Sequence, residues 1–216
     1  MSEIITTYKL TDLEQPVPMD REEFYDSQIK EFKKTGKPTM AAELVQVLLF
    51  TKDKEIILQK RSKTKNHNPS LLDKSMGGHL QFGDSTTYTV MVECLQELCV
   101  PSIVVGTTED FSKTFKILNN YLENLAVIKF VATHVNNFKK IFKGELVPIA
   151  NKYHFYLGVY NGSIKPADKE VSGLMYFDYQ DLQNEIQNAP NQFTEDLKFF
   201  LNKYSAEIES FLKNLG

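Results

Sequence analysis

Residues 78–100, GHLQFGDSTTYTVMVECLQELCV, run from a glycine-rich loop into a segment with helical periodicity. Asp84 and Ser85 stand where a side-chain oxygen can cap that helix, and Pro101 stops it just after Cys99. Residues three and four apart are neighbours on a helix surface, so Tyr88, Val92, Leu95 and Cys99 make one apolar stripe. Glu93, Gln96 and Glu97 share the opposite face. Two carboxylates one turn apart, with an amide oxygen beside them, form a patch of hard oxygen donors that suits magnesium. Such an ion needs only one or two protein carboxylates when waters and substrate phosphates complete its shell. Glutamates at this spacing also decorate many solvated helices, so the pattern gains meaning only from what surrounds it.

Upstream, ELVQVLLF (43–50) and EIILQKR (55–61) read as two central strands joined through residues 51–54 as an antiparallel hairpin. The hairpin runs into the polar segment KTKNHNP (63–69), so Lys60, Arg61, Lys63 and Lys65 cluster at its end. Such a cluster can neutralise a phosphate or simply be a solvated surface. Before the hairpin, QPVPM (15–19) and Gly36 to Pro38 punctuate a segment in which Asp20 can cap a helix with Tyr25, Ile29 and Phe32 on one face. Downstream the periodicity predicts a helix over 111–122 and strands over 126–131, 153–160 and 171–177. A long helix over 194–212 carries Leu197, Phe200, Leu201, Tyr204, Ile208 and Phe211 on one face. Intermixed strands and helices predict an α/β or α+β fold, divided into an appendage (1–40), a central domain (41–190) and a terminal helix packed on it (191–216).

Composition bounds the partners. The chain has 216 residues, 42% hydrophobic and 25% charged, which excludes disordered, collagen-like and coiled-coil classes. A net charge of -3 leaves no bulk cationic field, so neither nucleic acid nor an anionic membrane is expected as a partner, and phosphate recognition has to be local. The start, MSEIITTYKL, lacks the basic and apolar regions of a secretory signal, and no apolar run reaches membrane-spanning length, which predicts a cytoplasmic protein. Cys94 and Cys99, five apart on a helix, rise by roughly 7.5 Å and point in different directions, so they read as reduced core residues, not a disulfide.

With those residues in place, residues 78–100 resemble the signature of the Nudix hydrolase family. Its order is glycine, five residues, glutamate, seven residues, Arg-Glu, apolar, any, Glu-Glu, any, glycine, apolar. Gly78 falls on the first glycine, Asp84 on the first glutamate, Glu93 and Glu97 on the later ones, and Cys94 and Val100 on the apolar places. Val92 replaces the arginine that braces the first acid, Gln96 the first of the paired glutamates, and Cys99 the glycine. The resemblance extends over about 43–196 and is nearest the isopentenyl-diphosphate-isomerase-like branch, through ILQKRSKTKNHNPSLLDKSMGGH.

What the resemblance implies is a Nudix-type α/β/α sandwich with a mixed sheet, an N-terminal appendage and a long C-terminal helix. It puts Mg²⁺ or Mn²⁺ at Glu93 and Glu97, which carry catalysis, aided by Gln96 and the Gly78 carbonyl. Arg61 and Lys65 take the places that hold a diphosphate, while His79 and Asp84 are secondary loop positions. Gly77 stands at the isomerase's cysteine, and Ala150 and Lys152 at its late metal-binding glutamates, which argues against isomerase chemistry. His154, inside an apolar strand, reads as a satisfied core residue. Asp110, Glu145 and Glu170 are acids that could add a ligand or base, unranked by sequence. The implied activity is metal-dependent cleavage of a diphosphate linkage in a small molecule, with a homodimer compatible with the chain. The rivals are a weak or inactive module that binds a nucleotide or diphosphate and, less favoured, an isomerase-like enzyme.

Overall fold

The computed structural model describes residues 3–142, 145–166 and 171–215. Its centre is a mixed sheet. Strand β3 (Met40–Phe50) is buried on both faces: Leu44, Leu48 and Phe50 point into one core, and Val45, Val47 and Leu49 into another. Alternating side chains explain this, because an unbroken apolar run is what a strand covered on both sides requires.

Around it lie β4 (Ile56–Arg61), the two-residue β5 (Leu72–Asp73), β6 (Met76–His79), β7 (Ser102–Val105), β8 (Ala126–Phe142), β9 (Glu145–Val159) and β10 (Val171–Phe177). The main path through the sheet is β10-β4-β3-β9-β8-β7, with β3 parallel to β9 and β7 parallel to β8, and the other neighbours antiparallel. One face is covered by α2 (Thr86–Leu98) through Val90, Cys94 and Leu98. The other is covered by α3 (Thr108–Leu118), α4 (Tyr179–Asn188), α5 (Glu195–Lys203) and α6 (Ser205–Lys213), which bring Phe111, Leu182, Phe200 and Phe211 onto the sheet. No helix among the described residues is long and apolar enough to cross a membrane.

Several expectations change in detail. The first forty residues contain a hairpin, β1 (Ile4–Lys9) and β2 (Asp12–Asp20), as well as the expected helix α1 (Arg21–Thr35) with Asp20 as its cap. Strand β1 also pairs with β3, and Phe24 and Tyr25 of α1 pack with Phe142, Val147 and Ile149. The prolines that read as punctuation sit in β2 at the sheet margin, where a missing N–H is tolerated. Strands β8 and β9 run far beyond their predicted ends, because polar residues such as Asn136 and Asn137 hid the pairing. The predicted terminal helix is two helices, interrupted at Tyr204, whose backbone leaves helical geometry at φ -113°, ψ 28°.

On α2, the apolar stripe read from the sequence is not the core face: Tyr88 and Leu95 are each 55% exposed. Both cysteines are free thiols, but Cys99 is exposed and only Cys94 is buried, its thiol pushed up to about 12 by burial.

Candidate active site

The loop leading into α2 is held close to the helix by a glycine. A Cβ added at residue 78 would lie 1.9 Å from Oε1 of Glu93, so only glycine allows this strand and the carboxylate to approach so closely. One turn on, Oε2 of Glu97 accepts a hydrogen bond from Nε2 of Gln59 at 3.0 Å, and the same amide donates to the Ser75 carbonyl at 2.6 Å. Gln59 thereby ties the helix carboxylate to β4 and to the turn before β6.

Glu93, Glu97 and Gly78 line a cavity of about 160 Å³, whose wall also includes His79, Arg61 and Lys65. Residues from the 78–100 signature and from the hairpin end therefore meet in one place. Arg61 does more there than face solvent: its Nε and Nη2 donate to the His67 carbonyl at 3.0 and 2.9 Å, and Nη1 to Oδ2 of Asp73 at 2.9 Å. A guanidinium has five N–H groups, so two fix the 62–71 loop, one holds Asp73 of β5, and two have no partner among the described residues.

The inner wall was not legible as a site. Asp73 and Lys74 are adjacent in sequence, and Lys74 Nζ bridges Asp73 Oδ1 and Asp196 Oδ2, each at 3.0 Å. Asp196 lies in the first turn of α5 and also accepts from Gln46 Nε2 at 2.7 Å, while Thr194 donates its hydroxyl to Asp73. Burial would raise the Asp196 pKa, but Lys74 and Lys140 overcome it and hold the carboxyl well below the usual carboxylate range. Burial would likewise lower Lys74, and its two carboxylate partners carry it above the usual lysine value. Lys140 of β8 is pushed down to about 8 by burial, with Asp196 offsetting and Lys74 and Arg61 adding to the fall.

From α1, Arg21 and Tyr25 close another side of the cavity. The Tyr25 hydroxyl lies 2.9 Å from Nε2 of His79. Burial, then the neighbouring cations, keep the His79 pKa well below its ordinary value, so this ring is neutral and its tautomer sets which partner donates. His79, which the resemblance aligns with a metal ligand, has that nitrogen engaged.

Other expected residues lie elsewhere. Gln96 is exposed and outside the cavity wall, as is Asp84, which sits in the turn before Ser85, the observed cap of α2. Asp110 accepts from Thr107 at the start of α3, and Glu145 pairs with Lys33 on the surface at 2.9 Å. Glu170 lies outside the described residues. Ala150 is buried, and Lys152 pairs with Glu43 at 3.2 Å. His154 is satisfied as expected: it contacts Glu43 Oε1 at 2.7 Å and the Thr133 hydroxyl at 2.9 Å.

Among the described residues, no group of three or more His, Cys, Asp or Glu is arranged to hold a metal on its own. Two glutamates and a glycine backbone at one cavity wall still fit a hard divalent ion, because magnesium and manganese take oxygen donors and retain sites for water and substrate.

No family model matches the sequence, and no curated protein sequence matches it. Solved structures do. DR0079 from Deinococcus radiodurans superposes with a TM-score of 0.54 at 15% identity, over 75% of this chain and 82% of that one. A bifunctional NMN adenylyltransferase/ADP ribose pyrophosphatase from Francisella tularensis, complexed with AMP and a manganese ion, gives 0.50 at 15% identity. It covers 87% of this chain, which spans about half (47%) of that enzyme. A Nudix-family hydrolase from Clostridium perfringens gives 0.46 at 14% identity, over 81% and 95% of the two chains. The chain shares the mixed α/β fold of DR0079 and of the Francisella enzyme. At these identities the likeness is one of architecture, and function has to be argued from the cavity.

Proposed function

We propose that this chain is a metal-dependent hydrolase that cleaves a diphosphate linkage in a small organic molecule. The observation that carries the reading is the meeting of Glu93, Glu97 and Gly78 with Arg61 and Lys65 around one cavity. Glu93, Glu97 and the Gly78 carbonyl would hold Mg²⁺ or Mn²⁺, and a neighbour of the same fold that was crystallised with AMP and manganese is in keeping with that choice. When bound, such an ion supplies charge for the phosphate oxygens and lowers the pKa of a bound water.

The side chains account for the rest. Glu93 is kept against the loop by the space that Gly78 leaves, and Glu97 is oriented by Gln59. Arg61, fixed by Asp73 and the His67 carbonyl, presents its two remaining N–H groups as a preorganised fork, and Lys65 adds a second cation at the cavity wall. The test is release of phosphate from nucleoside diphosphates, dinucleoside polyphosphates and other organic diphosphates, with and without each metal. Arg61→Ala should weaken ligand binding more than Lys63→Ala, because Lys63 is exposed and outside the cavity wall.

A second reading rests on the small number of acids available, since no group of three or more His, Cys, Asp or Glu among the described residues is arranged to hold a metal. With fewer charged ligands for a metal, the same cavity would bind a diphosphate without cleaving it. Binding without turnover in the same panel distinguishes the two.

A further inference from the structure

The cations around the cavity are not equivalent. Arg21 pairs with Glu3 at 2.7 Å, Arg61 with Asp73 at 2.9 Å, and Lys74 with both Asp73 and Asp196 at 3.0 Å. Lys140 has no carboxylate within 4.0 Å among the described residues. Its polar neighbour is the side chain of buried Asn151, whose amide oxygen, turned toward it, accepts from the ammonium at 3.2 Å. By strand alternation Lys140 shares a face of β8 with Phe138 and Phe142, which are both buried. A lysine on an apolar face that lines a cavity and has no ion pair among the described residues pays a desolvation cost that one amide oxygen and the more distant Asp196 offset only in part. Asp196, the nearest acid by its effect, is already taken up by Lys74 and Gln46.

We propose that Lys140 is a substrate-binding residue that takes the terminal phosphate of a compact organic diphosphate inside the cavity. The size of the cavity supports that substrate class. About 160 Å³ at its polar inner end has room for a phosphate head. A terminal diphosphate can enter head first. A dinucleoside polyphosphate carries a nucleoside on each end and has no terminal phosphate to offer. This inference rests on the hydrolase reading for the site but is read by binding.

Inorganic pyrophosphate is the probe, because it carries the head and nothing else. Titration calorimetry with the full chain, with and without Mg²⁺, should show Lys140→Met weakening pyrophosphate binding by at least about tenfold, the scale of one charge-assisted contact. Lys140→Arg should stay within about threefold. The melting temperature of Lys140→Met should be equal or higher, since an unpaired ammonium has been removed, and Mg²⁺ binding alone should be unchanged. In hydrolysis, KM for a terminal diphosphate should rise more than kcat falls, and diadenosine tetraphosphate should be a poor substrate throughout.

Pyrophosphate binding that is equal in wild type and Lys140→Met overturns the assignment, as does a lowered melting temperature with unchanged affinity, which marks a structural lysine. Efficient cleavage of diadenosine tetraphosphate overturns the substrate class. If wild type binds pyrophosphate through Lys140 yet cleaves nothing, the hydrolase reading fails and the binding residue stands. If wild type binds none, the Lys140 assignment falls, and turnover on the organic diphosphates decides the hydrolase reading separately.

Discussion

At the scale of single residues, the departures from the family pattern have physical consequences that can be measured. Cys99 occupies the place of a glycine and closes α2 in the left-handed region at φ 55°, ψ 33°. A side chain there costs roughly 1 kcal/mol, so Cys99→Gly should stabilise the fold by about that much in urea denaturation, with no effect on ligand binding. Gln96 is exposed and away from the cavity, so Gln96→Glu should change metal affinity by less than about twofold. Glu97→Gln should reduce hydrolysis by at least ~100-fold, the scale of losing a group that stabilises developing charge. Both are read from one metal titration and one assay series. The sequence pattern singled out Glu93, Glu97, Gly78, Arg61 and Lys65, which line one cavity, because each belongs to a local motif. Gln59, Asp73 and Asp196 belong to none, and their meeting depends on tertiary folding. Lys140 left one trace, the alternation Phe138, Lys140, Phe142, which would place the lysine among inward residues if the strand had been recognised.

At the scale of elements, the site depends on how α5 is pinned to the sheet. The Thr194 N–H bonds to the Leu72 carbonyl at 3.0 Å and its hydroxyl to Asp73, so the start of α5 is fixed to β5 instead of capping itself. Asp196 then completes a buried bridge through Lys74. Removing one partner of such a bridge leaves an uncompensated charge, and Asp196→Asn should cost about 3 kcal/mol at pH 7. The pH dependence has a definite sign. Because the folded Asp196 pKa is depressed, its contribution is present above the ordinary value of 3.8 and is lost as pH falls below it. The stability difference between wild type and Asp196→Asn should therefore shrink steadily below about pH 4, which denaturation at several pH values would follow. Helix α5 was legible from Leu197, Phe200 and Leu201, but its break from α6 was not. No glycine or proline stands at Tyr204, and the apolar periodicity runs on from Leu201 through Tyr204 to Ile208, so the break leaves no mark in the pattern.

At the scale of the whole molecule, the mixed sheet could be anticipated from its strongest segments, while the role of the first forty residues could not. Their strands are short, partly exposed and contain two prolines, so they carry little pattern, yet β1 extends the sheet beside β3 and α1 supplies Arg21 and Tyr25 to the cavity. Phe24 is fully buried in the core they share with β8 and β9. Phe24→Ala should cost about 3–5 kcal/mol in global unfolding, whereas an independent appendage would leave the main transition unmoved. The central claim concerns the cavity itself: that box residues and hairpin cations, joined by this fold, cleave a diphosphate with a divalent metal. The most direct measurement is phosphate release by the full chain from a panel of organic diphosphates with Mg²⁺ or Mn²⁺, run beside Glu97→Gln. The account predicts metal-dependent turnover in wild type that is lost in the variant. Absence of both metal binding and turnover in wild type across the panel would contradict it.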